Sequence, residues 1–264
     1  MKILVCLKQV PDADSTFRVN AAKTWVETDG LSFQVNDYDR YALEAALQIK
    51  DGGDAEVTVI SVGPDRVSQA LKTALAMGAD RAIHVSDPGT EGSDPLGTAR
   101  ILQAAAGAEG FDLVIAGLQS EDGNDSQIGA LLARLLDFPC ATGAIGLTIA
   151  DDGKSVRVER ELENNRVQVV DLDLPAVVTV QTGINRPRYA SLKGIMAAKR
   201  KETRALTLAD LNLPAERVGS AGARLRILEL APPPKGKGGE ILQGSTEEIA
   251  AELVKRIREK TGVL

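Results

Sequence analysis

Residues 57–85, VTVISVGPDRVSQALKTALAMGADRAIHV, contain a complete strand–helix–strand unit. The runs VTVISV and RAIHV are short, apolar and rich in β-branched residues, as is typical of buried strands. The segment between them has apolar residues at helical spacing, and Gly78 follows where the helix should end. These apolar residues are Val67, Ala70, Leu71, Ala74 and Leu75. Strands joined by a helix in this way pair in parallel, so the stretch predicts an α/β fold.

The same alternation extends over the first half of the chain. Apolar runs at 3–7 and 112–117 alternate with amphipathic segments at 37–50, 94–107 and 126–136. Repeated βα units of this kind are typical of an open parallel sheet with helices on both faces. The sequence therefore predicts a doubly wound, mainly parallel, Rossmann-like sheet.

From residue 143 onward the alternation of strands and helices is replaced by a different pattern. The segments GAIGLTIA (143–150), KSVRVEREL (154–162) and RVQVVDLDL (166–174) alternate apolar and polar residues and are separated by turn sequences. Period-two runs joined by such turns predict antiparallel hairpin strands added to the sheet. The run AVVTV (176–180) is continuously apolar and predicts a fully buried strand.

Beyond Tyr189 the chain loses this rhythm. The segment PPPKGKGG (232–239) has the composition of a linker, and a helix at about 246–260 follows it. Ile249, Leu253 and Ile257 give this helix one apolar stripe. A helix that follows a linker needs a surface to pack against, and a partner chain is a candidate.

Composition excludes several classes of function. The chain has 264 residues, two cysteines, one histidine and a net charge of −6. The histidine, His84, and the two cysteines, Cys6 and Cys140, lie far apart in the sequence. Their number and spacing indicate neither a metal site nor a disulfide framework, and we expect both cysteines to be buried. The acidic balance argues against nucleic acid as a partner. No apolar segment is long enough to insert in a membrane and no signal peptide is evident, so we expect a cytoplasmic protein.

The segment AGLQSEDGNDSQIG (116–129) is a candidate for a nucleotide-binding loop, although the signal from its residues alone is weak. It follows a strand and leads into a helix, whose first N–H groups can bind a phosphate. Its carboxylates have the wrong sign for that task, so we expect Glu121, Asp122 and Asp125 to cap the helix or bind ribose. A helix cap without any ligand explains the pattern equally well. Three predicted loops, which begin near Cys6, Gly63 and Gly117, converge at one sheet edge, and this favours a nucleotide.

Several motifs together resemble the β subunit of electron-transfer flavoproteins. They are VGPDRV, TALAMGADRA, AGLQS, VERELE and above all PAVVTVQTGINRPRYASLKGIMAAKRK at 175–201. The resemblance is collinear over the whole chain. It implies a heterodimer whose α subunit carries most of an FAD site, while this chain completes the flavin pocket and binds AMP. It also implies a nucleotide-binding domain at 1–203 and a C-terminal arm at 204–264 that wraps the α subunit.

The resemblance further implies particular site residues. The AMP site corresponds to Cys6, Asn36, Asp37, Tyr38, Asp39, Val62, Asp122, Gly123, Asn124, Asp125, Ser126, Gln127, Ile128, Gly129, Ala130 and Ala133. Glu161 corresponds to a glutamate near the flavin. Ala13 stands where some members have a tyrosine, so contact of that position with the flavin is not expected. From the residues alone, Asn36 and Asp39 could merely cap a helix, Tyr38 could fill the core, and Glu161 could balance Arg157 or Arg160.

The segment 184–199, here called the docking segment, resembles the family's recognition loop for dehydrogenases. Leu192 corresponds to an anchor leucine, with Ile195 and Met196 beside it. The spacing alone favours the alternative, in which these three side chains pack on the chain's own core.

The function implied is that of an electron carrier, which is not itself an enzyme. It takes electrons from an acyl-CoA or other dehydrogenase and passes them to a quinone oxidoreductase-type acceptor. One alternative is an electron-bifurcating member with a second FAD in place of AMP. Alternatives of other classes are a stress-type nucleotide-binding module and a nucleotide-dependent ligase or hydrolase. The absence of a P-loop and of a second histidine argues against the last.

Overall fold

The computed structural model describes residues 1–107, 109–234, 236 and 238–262, and most of its strands form one large sheet. The strands are β1 Lys2–Cys6, β2 Gln9–Pro11, β3 Phe33–Val35, β4 Glu56–Val62, β5 Arg81–Val85, β6 Leu113–Gly117, β7 Cys140–Ile149, β8 Ser155–Leu162, β9 Arg166–Asp173, β10 Ala176–Val180 and β11 Thr203–Leu206. The α-helices are α1 Asp37–Gly52, α2 Ser68–Met77, α3 Pro95–Gly107, α4 Ile128–Leu136, α5 Leu192–Ala198, α6 Gly219–Gly222 and α7 Thr246–Thr261.

The large sheet has the order β11-β5-β4-β1-β6-β10-β7-β8-β9. All neighbours from β11 to β7 pair in parallel, whereas β7, β8 and β9 pair antiparallel. This confirms the predicted α/β class, the parallel core and the added antiparallel hairpins. Strands β4 and β5 are added to the sheet on one side of β1, and β6 is then added on the other side of β1. The order therefore reverses between β1 and β6.

Apolar side chains cover both faces of the central parallel strands. In β1, Ile3 and Val5 face the cluster that contains the stripes of α1 and α2, and Leu4 and Cys6 face the cluster that contains those of α3 and α4. A strand that is buried on both faces needs a continuous apolar run, which explains why these strands were evident in the sequence.

The structure contains strands that were not predicted from the sequence, and one cysteine is less buried than expected. Strand β11 extends the sheet beside β5, although its residues Thr203–Leu206 are mostly exposed and carry no apolar run. The short antiparallel pair β2–β3 was also missed. Cys6 is buried as expected, whereas Cys140 is only half-buried, because it lies at the start of β7. His84 is buried in β5, where its Nε2 lies 2.9 Å from the carbonyl oxygen of Gly63.

The chain divides into two compact units. The first comprises Met1–Phe17 and Thr28–Ile227 and contains the large sheet, and the second comprises Arg18–Glu27 and Leu228–Leu264. The division at 203/204 expected from the resemblance remains a prediction. Of the predicted linker 232–239, positions 235 and 237 lie outside the described residues.

Within the second unit, α7 is a well-capped helix. Ser245 accepts a hydrogen bond from the N–H of Glu248 and the carboxylate of Glu248 accepts one from the N–H of Ser245, which forms a capping box. None of the residues of α7 is buried. Among the described residues, no helix combines the length and the apolar character that a membrane crossing requires.

Candidate functional site

The candidate site lies at the carboxyl ends of β1 and β6, where the strand order reverses. Doubly wound sheets bind their ligands at this position, because the loops that leave neighbouring strands in opposite directions open a crevice there. Three segments meet at the crevice: the residues after β1, the start of α1 and the loop 118–127 after β6. The loops that begin at Cys6 and Gly117 are therefore brought together, as predicted.

Asp39 connects the two strand ends. Its Oδ2 accepts a hydrogen bond of 2.7 Å from the N–H of Lys8, and its Oδ1 accepts one of 3.1 Å from the N–H of Gly117. Burial raises the pKa of Asp39 to about 7, although the two N–H donors and the side chain of Asn36 act in the opposite direction. The alternative that Asp39 only caps α1 is therefore wrong, because its carboxylate links the residues that follow β1 to the end of β6.

Asn36 connects α1 to the loop after β6. Its Nδ2 donates to the carbonyl oxygen of Gln119 at 2.9 Å, and its Oδ1 accepts from the N–H of Glu121 at 3.0 Å. Asn36 occupies the N-cap position of α1 as expected, but its side chain makes no capping hydrogen bond to that helix. A buried amide whose oxygen and nitrogen both bind one loop fixes that loop in place.

Gln119 organises the interior of the loop. Its Nε2 donates to the Oδ1 of Asn124 at 3.0 Å, and its Oε1 accepts from the Oγ of Ser126 at 2.8 Å. Its Nε2 also lies 3.4 Å from the hydroxyl oxygen of Tyr38, which is half-buried at the edge of the crevice. Asn124 and Ser126 have left-handed backbone conformations with φ of 54°. This conformation is uncommon for residues other than glycine, although asparagine adopts it more readily than most, and here it shapes the tight path of the loop.

The loop leads into the N-terminus of α4. The N-cap residue Gln127 makes no side-chain capping bond, and the first turn contains no acidic residue. The first N–H groups of a helix have no intrahelical acceptor, so this end of α4 offers donors to an anion. Gly129 is buried in this turn, and a Cβ there would collide with Thr179 of β10. Glycine therefore allows the helix terminus to lie directly against the sheet.

The acidic residues of the loop do not cap α4. The Oε2 of Glu121 accepts from the N–H of Asp37 at the start of α1, at 3.3 Å, and Asp122 forms an ion pair of 2.6 Å with Lys8. The Nζ of Lys8 also donates to the Oγ of Ser120 at 3.2 Å. The expectation that these acids cap α4 is therefore wrong for Glu121 and Asp122. Lys8 was not predicted as a site residue from the sequence, although it lies in one of the three predicted loops.

The other expected AMP-site residues lie at the same edge of the sheet. Val62 ends β4, next to β1, and Cys6 ends β1. Burial raises the pKa of the Cys6 thiol to about 12, so the thiol is protonated at neutral pH. In α4, Ala130 is exposed, Ile128 is half-buried and Ala133 is buried. Among the described residues, no group of His, Cys, Asp and Glu is arranged to hold a metal ion.

Glu161 lies away from this crevice. It is exposed on β8, three positions from β6 in the sheet. Arg157 pairs with Asp171 instead, and Arg160 binds Thr142 and Gln168. Among the described residues, no ion pair of Glu161 with either arginine is formed. Its carboxylate is therefore available to another molecule.

The docking segment presents apolar side chains to solvent. Leu192 is 84% exposed, Met196 64% and Ile195 45%. The alternative that these side chains pack on the chain's own core is therefore wrong. Large apolar side chains that are exposed together on one short helix indicate an interaction surface.

Comparison with known proteins shows which family the whole chain resembles. A family model described as the electron transfer flavoprotein domain matches residues 24–211. The chain is 39% identical over 264 residues to the electron transfer flavoprotein subunit beta of Methylophilus methylotrophus, across 99% of this chain and 100% of the relative. It is 35% identical over 265 residues to the protein of the same name from Bacillus subtilis, across 100% of both chains. It is 39% identical over 254 residues to a mitochondrial subunit beta from Arabidopsis thaliana, across 96% of this chain and 97% of the relative.

Proposed function

This chain belongs to the electron transfer flavoprotein family as a β-subunit member, and on that premise we propose how its residues serve electron transfer. The chain pairs with an α subunit, binds AMP in its own crevice and completes the pocket of an FAD that the α subunit carries. The heterodimer takes electrons from a dehydrogenase, such as an acyl-CoA dehydrogenase, and passes them to a quinone-linked acceptor. The chain is a carrier subunit, and its own side chains perform no chemical step.

The observation that carries this proposal is the crevice between β1 and β6. Its donors and acceptors match the parts of AMP: the N–H groups at the start of α4 suit the phosphate, and the loop carboxylates suit ribose hydroxyls. No acidic residue lies in the first turn of α4, and Lys8 neutralises Asp122. The residues that would hold AMP are those at 36–39, Cys6, Val62 and the loop and helix from Asp122 to Ala133.

The flavin supplies the redox chemistry when it is bound, since its ring can accept and release single electrons. The exposed carboxylate of Glu161 is the residue of this chain that we place beside it. An unpaired carboxylate near the ring would affect the charge that the reduced flavin carries. Within this chain, Glu161 therefore tunes the flavin and does not react.

The docking segment would bind the dehydrogenase through Leu192. An exposed leucine on a small surface suits a transient complex, because one buried anchor gives recognition without a large permanent interface. Replacement of Leu192 by alanine should weaken dehydrogenase binding by roughly 1–3 kcal/mol and leave the melting temperature nearly unchanged. A large fall in melting temperature with electron transfer intact would contradict this role.

Co-expression with the α subunit tests the proposed function as a whole. We expect a yellow complex with a flavin spectrum only when both chains are produced together. A colourless chain that remains alone and hydrolyses ATP would instead support a nucleotide-dependent enzyme or a stress-type module. The N–H-lined crevice would suit the phosphates of a second FAD as well, so the nucleotide content has to be measured separately.

A further inference from the structure

The docking segment combines exposed side chains with a firmly attached backbone. Tyr189 is 87% exposed and Leu192 is exposed to a similar extent. Segments that expose this much apolar surface are often mobile, because little packing opposes their motion. Here the two ends and the middle of the segment are each held by a helix of the chain's own α/β unit.

The first attachment is an ion pair between Arg188 and α1. The guanidinium donates to both carboxylate oxygens of Glu44, at 2.8 and 3.0 Å, and to Asp51 at 2.7 Å. The backbone N–H of Arg188 also donates to Glu44, at 3.1 Å. Glu44 is only 3% exposed, so the loss of Arg188 would leave a buried carboxylate without its cationic partner. Nearby, the side chain of Asn185 donates to the carbonyl oxygen of Tyr41 at 3.0 Å.

The second attachment lies at the C-terminal end of α2. Gly194 packs so closely on Ala76 that a Cβ would collide with the carbonyl oxygen of that residue. Just after the segment, the Nζ of Lys201 donates to the carbonyl oxygens of Leu75 and Ala79, at 2.9 and 2.5 Å. A lysine in this position satisfies carbonyl groups that the helix end leaves without partners, and its charge is favourable there.

These contacts point to a specific role for residues that are not themselves at the docking surface. We propose that Glu44, Arg188 and Lys201 are positioning residues, which hold the docking segment in the shape that the partner dehydrogenase binds. The inference rests on the proposed docking function of Leu192. A surface that is already ordered loses less conformational entropy on binding than a mobile one, so the partner's apolar pocket can bind Leu192 without first ordering the segment.

The role can be tested in the flavin-containing αβ heterodimer with Arg188→Lys, Lys201→Gln and Glu44→Gln. Lysine keeps the charge of Arg188 but cannot bind both oxygens of Glu44 in the same geometry. Arg157→Lys is the matched control, because Arg157 makes a similar two-bond ion pair with Asp171 on the hairpin, at 2.8 and 2.9 Å. The assay is reduction of the heterodimer by an acyl-CoA dehydrogenase with its substrate.

We expect the KM for the heterodimer to rise about tenfold in the positioning variants, with kcat unchanged, because binding and not the chemical step is altered. Trypsin should cleave after Lys193 or Lys199 faster in these variants than in the wild type. The control should change neither quantity. Arg188→Lys and Lys201→Gln alter side chains that are not fully buried, so they decide the outcome if Glu44→Gln lowers the melting temperature strongly.

Two results would overturn the proposal. One is an unchanged cleavage rate, which would mean that these contacts do not hold the segment. The other is faster cleavage with an unchanged KM, which would mean that docking does not need an ordered segment. Leu192→Ala is measured alongside: if it leaves the KM unchanged, the docking function itself fails. If Leu192→Ala raises the KM and the positioning variants do not, only the positioning role fails.

Discussion

The buried carboxylate of Asp39 illustrates how a single side chain can define a binding crevice. It accepts hydrogen bonds from the N–H groups of Lys8 and Gly117, which follow β1 and end β6 respectively. The strands are neighbours in the sheet, but the loops that follow them leave in opposite directions, so a group that bridges the two strand ends holds both sides of the crevice in place. The bridge requires a buried carboxylate, whose charged form is disfavoured by desolvation.

This environment predicts a pH dependence of stability. The pKa of Asp39 is about 7 in the folded protein, against an ordinary value of 3.8. Between these values the folded state retains a proton that the unfolded state has lost, so the contribution of Asp39 to stability falls as the pH rises from about 4 to about 7. Thermal unfolding of the heterodimer at pH 5 and pH 8 should therefore show a larger loss for the wild type than for Asp39→Asn. Equal losses in both proteins would contradict the assignment.

The sequence predicted the individual residues of the site only in part. Asn36 and Asp39 were identified through the family resemblance, but their residue types and positions alone suggested helix caps. Their real partners, Gln119, Glu121 and Gly117, lie about eighty positions away in the chain. Lys8 was missed for the same reason. Hydrogen bonds between distant segments depend on the tertiary structure, and a local pattern does not contain them.

The first turn of α4 lies against β10, so this packing sets the position of the helix N-terminus at the crevice. The closest approach is at Gly129, where a Cβ would collide with Thr179. In Gly129→Ala the helix terminus must move away from the sheet, so we expect the purified heterodimer to retain less AMP. Arg134→Lys is a suitable control, because Arg134 lies exposed in the last turn of the same helix.

The nucleotide content of both variants can be measured after acid extraction and chromatography. We expect the content of the control to match the wild type. If Gly129→Ala retained as much AMP as the wild type, the start of α4 would not be the phosphate site.

The last helix, α7, provides a second test. None of its residues is buried, and Leu253 and Ile257 are exposed on one stripe. Deletion of everything after Pro234 should abolish co-purification with the α subunit and leave the sheet folded, as judged by circular dichroism. An unfolded product would show that α7 is needed for the fold of this chain.

Helices and strands were predicted correctly where their side chains are buried, because burial leaves a regular apolar pattern in the sequence. The strands β1, β4, β6 and β10 were predicted because both of their faces are buried, and the helices because their stripes pack on the sheet. Strand β11 was missed because it is an edge strand with one buried residue, Leu206. Its place is set by pairing with β5, which the sequence does not reveal locally.

The whole chain is one half of the proposed heterodimer, and its exposed features support this. Glu161 lacks an ion-pair partner among the described residues, α7 exposes an apolar stripe, and the docking segment exposes Leu192. The two apolar surfaces are of the kind that mark interaction sites, and the exposed carboxylate is free to act on a bound group. In the heterodimer they would contact the flavin, the α subunit and the dehydrogenase respectively.

The nucleotide content of the heterodimer is the most direct test of the central claim. The αβ complex is purified, denatured in acid, and its released nucleotides are separated and counted against protein. We expect one FAD and one AMP per heterodimer, with the AMP lost when Gly129 is replaced by alanine. Two FAD molecules without AMP, or no flavin in the complex, would contradict the proposed function.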